Sequence, residues 1–132
     1  GTGRFLEVMA TALDVSIEEL GPMALKSKKP ASISSTCTVF AESEVIGLFA
    51  QGVPKEDIAA GIHLSIVKRI IAMVKRIHLT PPILFSGGVA LNPAMKVFFE
   101  DILQHQLLVP PNPQIIGALG AALIAQDQIK KE

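Results

Sequence analysis

Residues 33–44, with the sequence ISSTCTVFAESE, place the only cysteine of the chain between a run of hydroxyl residues and an apolar, acidic segment. The segment after Cys37 is predicted to form the first turns of a helix. A helix N-terminus carries free backbone N–H groups and a partial positive charge, so a thiol there ionises more easily and binds metal better than an ordinary buried thiol. Cys37 is therefore the first candidate for chemistry, and the alternative is a small buried hydrophobic residue. The predicted inward face of this helix comprises Val39, Phe40, Ile46 and Phe49.

Composition limits the classes of protein that fit. The 132 residues include 12 basic and 12 acidic side chains, and 49% of them are apolar. No apolar run approaches the roughly 20 residues of a membrane-spanning helix, so we expect a soluble protein without a membrane partner. Because the charges balance and no extended basic face is present, nucleic acid is not expected as a partner. A lone cysteine and the lack of a signal-peptide pattern predict a cytoplasmic location.

The chain begins with Gly1-Thr2-Gly3 and runs directly into a helical pattern, without an initial methionine. We expect it to be the C-terminal part of a longer protein. The exposed N–H groups and small side chains of this helix start would let a phosphate approach closely, and a frayed terminus is the alternative.

Helical patterns occupy most of the chain between residues 16 and 77. Ser16 and Glu19 predict a capping box that opens a second helix, interrupted or restarted at Gly21-Pro22. Pro54 predicts the start of the longest helix, whose apolar row begins at Ile58 and repeats every four residues. Two histidines in this region have no histidine or carboxylate at metal-ligand spacing and are assigned no site role. They are His63 and His78.

A strand, a glycine turn and a helix follow one another after residue 82. Ile83 to Phe85 predict a short strand buried on both faces, and residues 107–109 predict a second. Asn92 precedes a proline, which predicts a cap and a helix start. In an α/β sheet this order puts Gly87 and Gly88 at the edge where ligands bind, although a turn also requires glycine for its conformation.

Four segments together resemble a known family. They are GTGRFLEVMA at residues 1–10, ISSTCTVFAESEVI at 33–46, ILFSGGVALNPAM at 83–95 and PQIIGALGAAL at 113–123. They resemble the activator component of the 2-hydroxyacyl-CoA dehydratases, within the wider group of benzoyl-CoA reductase and dehydratase-activator ATPases. The resemblance implies an α/β fold: residues 1–132 would be a single domain, the helix-rich part of a ribonuclease-H-like lobe with few short strands. This lobe type belongs to the actin, sugar-kinase and heat-shock-chaperone superfamily, and the N-terminal lobe and first strands of the second lobe would be absent.

The resemblance also implies a function. Such activators are homodimeric ATPases that use ATP and Mg²⁺, share one 4Fe-4S cluster between subunits, and accept electrons from reduced ferredoxin or flavodoxin. They pass one low-potential electron to a 2-hydroxyacyl-CoA dehydratase. Cys37 matches the second of the two cysteines that each subunit contributes, and the first would stand three residues before Gly1. We therefore expect the fragment alone to lack the cluster, or bind it poorly, and to be inactive.

Nucleotide contacts follow from the same resemblance. Gly87 and Gly88 match the adenosine motif, and Gly1, Thr2 and Gly3 match the turn that faces the phosphates. Two further candidates, for which a helix cap or a packing role is the alternative, are Asn92 and Gln114. No catalytic carboxylate is assigned. The partner enzyme can be a dehydratase or an aromatic-ring reductase. The alternative functions are a sugar-kinase-like phosphotransferase without a cluster and a non-catalytic interaction module.

Overall fold

The computed structural model describes residues 1–34, 37–77 and 79–130. His78 and the hydroxyl residues Ser35 and Thr36 lie outside the described residues. The described residues form six α-helices and two short strands, which confirms the predicted helix-rich α/β class with few strands. In chain order the elements are α1 (Thr2–Ala12), α2 (Ile17–Ala24), α3 (Thr38–Ala50), α4 (Lys55–Val74), β1 (Ile83–Leu84), α5 (Pro93–Leu103), β2 (Leu107–Leu108) and α6 (Ile116–Ile129). Short 3₁₀ turns span Gly88–Leu91 and Pro113–Ile115.

The longest helix, α4, forms the centre of the core. It packs against α2 and α5 and also touches α1 and α3. Every residue from Ile58 to Ile62 is buried, and the buried side continues through Ile66 and Val67. The apolar row predicted from residue 58 therefore marks the buried face through its first three turns. None of the described helices is both long and apolar enough to cross a membrane.

The helix α2 begins as predicted but does not break where predicted. Ser16 Oγ accepts a hydrogen bond from Glu19 N at 3.2 Å, and the Glu19 carboxylate accepts one from Ser16 N at 2.9 Å, so the capping box is present. The predicted interruption at Gly21-Pro22 is wrong, because α2 continues through Pro22 to Ala24. Proline removes one hydrogen bond in the second half of this helix, and the burial of Leu20 and Gly21 outweighs that loss.

The orientation predicted for α3 is also wrong. Val39, Phe40, Ile46 and Phe49 have relative exposures of 66%, 67%, 50% and 44%. The buried residues are instead Ala41 and Val45, on a helix that packs against α1. Because α3 is apolar around most of its circumference, helical periodicity alone does not identify the buried face.

The strands β1 and β2 are parallel, with Ile83 opposite Leu107 and Leu84 opposite Leu108. Ile83 and Leu107 face the core, whereas Leu84 and Leu108 are 58% and 54% exposed. The prediction of a strand buried on both faces is therefore wrong for the described residues. The parallel pairing does place the turns that follow both strands at one end of the sheet.

Candidate functional site

A cavity of about 570 Å³ opens beside the turn that follows β1. The starts of α1, α2 and α5 form its other walls. Four of the predicted nucleotide-contacting residues line it: Gly3, Gly88, Asn92 and Gln114. The remaining three, Gly1, Thr2 and Gly87, lie within two positions of a lining residue in the sequence but do not line the cavity themselves. The other lining residues are Leu6, Glu7, Ile17, Glu18, Val89, Leu91 and Pro93.

The two glycines after β1 have different structural roles. Gly87 has φ 90° and ψ 172°, a conformation that favours glycine over residues with a Cβ atom. Its N–H donates to the Pro113 carbonyl at 2.8 Å, which joins this turn to the turn after β2. Gly88 needs no special backbone angle, but a Cβ there would lie 4.0 Å from Gln114 Cγ, at the edge of the cavity. Gly87 thus shapes the turn, and Gly88 keeps the cavity wall free of side-chain atoms.

The first turn of α1 presents backbone donors beside the cavity. Gly1 is the N-cap and makes no side-chain capping bond. A Cβ at Gly3 would lie 3.8 Å from Val89 Cγ2, and both residues line the cavity. The free N–H groups and positive end of the helix dipole suit an anionic group here.

Two carboxylates at the cavity were not predicted from the sequence. Glu7 pairs with Arg4 at 2.8 Å on an exposed surface, and Glu18 stands in the first turn of α2. Carboxylate oxygens accept hydrogen bonds from hydroxyl groups and are preferred ligands of Mg²⁺. The capping box at Ser16 predicts where α2 starts, but no local signal shows that this start faces Gly88.

Asn92 connects the cavity to the core. Its Oδ1 accepts hydrogen bonds from Ala94 N at 3.0 Å and Met95 N at 3.2 Å, so the predicted cap of α5 is confirmed. Its Nδ2 lies 3.0 Å from Nε2 of His63, a fully buried residue of α4. The sequence assigned His63 no site role, because no histidine or carboxylate stands at metal-ligand spacing from it, and the partner that it contacts lies 29 residues away.

The cysteine lies at the N-terminus of α3, as predicted. Cys37 is the N-cap residue, and its carbonyl accepts a hydrogen bond from Ala41 N at 2.9 Å. Its thiol is free and exposed in this chain, unlike the buried small residue of the alternative interpretation. Among residues 1–34, 37–77 and 79–130, no group of three or more potential metal-ligating side chains occurs. A metal centre at Cys37 would therefore need ligands from beyond this part of the chain.

The segment that leads to Cys37 is attached to two helices. Backbone N of Ser34 donates to the Glu44 carboxylate of α3 at 3.0 Å. Ala31 N donates to the Asp57 carbonyl at 2.8 Å, at the start of α4. The approach to the cysteine is thus positioned by both helices.

Comparison with known proteins defines the class. Residues 1–125 match the BadF/BadG/BcrA/BcrD ATPase family, and the chain belongs to this family. It is 47% identical over 131 residues to the 2-hydroxyisocaproyl-CoA dehydratase activator of Clostridioides difficile, covering 99% of this chain and 49% of that protein. It is 45% identical over 131 residues to the (R)-2-hydroxyglutaryl-CoA dehydratase activating ATPase of Acidaminococcus fermentans, covering 99% of this chain and 50% of that protein. The chain spans about half the length of the curated relatives that it matches.

A solved structure has the same fold. The activator of the 2-hydroxyisocaproyl-CoA dehydratase from Clostridium difficile, with bound ADPNP, matches with a TM-score of 0.88 and 46% identity. The match covers 97% of this chain and 48% of that one. The likeness to the activators expected from the four sequence segments is therefore confirmed.

Proposed function

We propose that this chain is part of an ATP-dependent iron–sulfur activator that transfers one low-potential electron to a 2-hydroxyacyl-CoA dehydratase. The observation that carries the proposal is the 47% identity to a dehydratase activator across 99% of the chain. We further propose that the intact protein is a cytoplasmic homodimer built on ribonuclease-H-like lobes. Reduced ferredoxin or flavodoxin would supply its electrons.

The nucleotide would bind in the cavity beside Gly88. Its volume of about 570 Å³ lies within the range of roughly 300–1,000 Å³ usual for small-molecule sites. We propose that Gly87 and Gly88 leave room for the ribose and adenine, and that residues 1–3 face the phosphates. Asn92 and Gln114 would border the base and sugar. The bound ADPNP of the similar solved structure supports a nucleotide in this protein.

The family resemblance implies no role for Glu7 or Glu18, which also line the cavity. Their carboxylates would accept hydrogen bonds from ribose hydroxyl groups or from water bound to Mg²⁺. Neither carboxylate is proposed as the catalytic base, because the phosphate-facing half of the site would include residues outside this chain.

A 4Fe-4S cluster takes four cysteine thiolates, and Cys37 would be one of them. Two copies of the chain would supply two of them, and the others would come from outside residues 1–132. When bound, the cluster would store and release one electron. The backbone N–H groups at the start of α3 and the dipole of that helix favour negative charge beside Cys37, typically by about 0.3–1 kcal/mol.

The exposed apolar side chains next to Cys37 support the proposal that a second subunit packs there. Val39 and Phe40 are 66% and 67% exposed in this chain. A second subunit that covers them would exclude water from the neighbourhood of the thiolate and lower the local dielectric constant, which strengthens each electrostatic contact there.

Anaerobic purification of the intact protein tests this proposal. We expect about four irons per dimer in the wild type and loss of the cluster in Cys37→Ser. Ser32→Ala is the matched control, because Ser32 is an exposed residue of the same segment, and it should retain the iron. An iron-free wild type that phosphorylates a sugar, with Cys37→Ser equally active, would favour the kinase-like alternative. An intact protein that neither binds nor hydrolyses ATP would favour the interaction module.

A further inference from the structure

We infer that His63, which does not line the cavity, is a positioning residue for the nucleotide site and acts on it through Asn92. The inference rests on the proposed nucleotide site. His63 would set the orientation of the Asn92 amide, and through it the relative positions of the two helix starts that form the cavity wall.

The hydrogen bonds of His63 define its tautomer. Nδ1 lies 2.7 Å from the Ala59 carbonyl oxygen, which can only accept, so Nδ1 carries the proton. In the neutral ring Nε2 is then an acceptor. The side-chain NH₂ of Asn92 donates to it across 3.0 Å.

The acceptor at Nε2 determines which way the Asn92 amide faces. With its NH₂ on His63, the amide turns Oδ1 toward Ala94 N and Met95 N, at 3.0 Å and 3.2 Å. The reversed amide would put two NH donors against the donors of the helix and an oxygen against Nε2. Each of these part-buried pairings would set donor against donor or acceptor against acceptor, so His63 and the cap of α5 select the same orientation.

A third helix is packed directly on this amide. A Cβ built on Gly21 of α2 would lie 2.6 Å from Asn92 Oδ1 and 3.0 Å from Pro93 Cδ. The α2 residues that line the cavity, Ile17 and Glu18, precede Gly21 on the same helix. The position of the Asn92 side chain therefore sets how far the α2 wall stands from the α5 wall.

The environment of His63 keeps the ring neutral. Burial lowers the pKa of His63 below its ordinary value of 6.5. The ring also lies edge-on to Phe98, with their centroids 6.2 Å apart. A neutral ring provides the acceptor that Asn92 requires, whereas a protonated ring would present a donor to a donor.

Calorimetric titration of the intact protein with ADP in the presence of Mg²⁺ tests the inference. His63→Leu removes the acceptor and leaves the Asn92 NH₂ without a partner, so the dissociation constant should rise about tenfold. His63→Gln places an amide oxygen near the former Nε2 and should restore affinity to within about twofold of the wild type. Val67→Ala is the matched control, because Val67 is fully buried one turn further along α4. It should lower stability and leave the affinity unchanged.

A second measurement reads the tautomer of His63 in the wild-type protein itself. Nitrogen-15 NMR of the wild-type imidazole, with the His63 signals identified by their absence in His63→Gln, should show a neutral ring protonated at Nδ1 at pH 7. A ring protonated at Nε2, or charged at pH 7, would overturn the inference.

The binding outcomes separate this inference from the proposed function. A wild type that does not bind ADP would overturn both. A wild type that binds ADP while His63→Leu binds equally well would overturn the inference alone. Equal weakening by His63→Leu and Val67→Ala would also overturn it, because the effect would then be one of general stability.

Discussion

Substitution of Gly61 by alanine should destabilise the fold, although alanine favours helices. Gly61 is buried in the middle of α4. A Cβ there would collide with the Ala31 carbonyl oxygen and lie 3.0 Å from the carbonyl carbon. These are backbone atoms, and Ala31 N is held by the Asp57 carbonyl at 2.8 Å. The segment cannot move away from the new methyl group without losing that hydrogen bond.

The opposing free energies decide the sign of the effect. Exchange of glycine for alanine inside a helix stabilises by about 1 kcal/mol. Overpacking costs about 1–3 kcal/mol, and loss of the Ala31 hydrogen bond adds about 0.5–1.5 kcal/mol. We therefore expect Gly61→Ala to lower the free energy of unfolding by about 0.5–3.5 kcal/mol. Because Ala31 lies on the approach to Cys37, the variant should also retain less iron.

Gly47→Ala is the matched control, because Gly47 lies inside α3 and, among the described residues, no atom outside the helix's own nearby backbone lies within 4 Å of the added Cβ. It should raise the free energy of unfolding by about 0.5–1 kcal/mol. Urea denaturation followed by far-ultraviolet circular dichroism measures both variants. A Gly61→Ala protein as stable as the wild type would refute the reasoning, and so would a destabilised Gly47→Ala.

Three further predictions concern the contacts around the cavity and the cysteine. Burial lowers the pKa of His63, so below pH 6.5 the unfolded state binds a proton that the folded state does not. The free energy of unfolding should therefore fall as the pH drops below 6.5. His63→Gln should flatten this part of a urea-denaturation pH series. Gly21→Ala should weaken ADP binding in calorimetry by pushing Asn92 away. Gly120→Ala should bind as the wild type does, because its Cβ would meet no other element in the part of the chain that the structure describes. Asp57→Asn should lower the urea midpoint at pH 7, because the wild-type Asp57 carboxylate accepts a hydrogen bond from Ser27 Oγ at 2.6 Å. This bond holds the pKa of Asp57 below its ordinary value of 3.8. The variant should therefore lose less stability than the wild type as the pH falls below 3.8. An unchanged midpoint for Asp57→Asn, or a flat wild-type pH series, would contradict these expectations.

Local signals predicted the starts of the elements that form the site. The capping box at Ser16, the cap at Asn92 and the helix after Cys37 each depend on residues within four positions of one another, and each is present. The order of strand, glycine turn and helix likewise depends on short apolar runs and on Gly87, whose backbone angle few other residues adopt. These features follow from backbone hydrogen bonding and steric restriction, which a short segment determines by itself.

Features that depend on tertiary packing were not predictable in the same way. The apolar circumference of α3 offers several possible buried faces, and contact with α1 selects Ala41 and Val45. Pro22 is tolerated because α2 keeps its other backbone hydrogen bonds and buries Leu20, Gly21 and Ala24 against its neighbours. The contact between His63 and Asn92 joins residues 29 positions apart, so neither helical period nor motif spacing indicates it.

The most direct measurement is the activation of a 2-hydroxyacyl-CoA dehydratase by the intact, reduced protein, followed as turnover of its 2-hydroxyacyl-CoA substrate. We expect turnover with ATP, none when ADPNP replaces ATP, and none with Cys37→Ser. Full activation by Cys37→Ser, or activation that is the same without ATP, would contradict an ATP-driven electron transfer that depends on this thiolate.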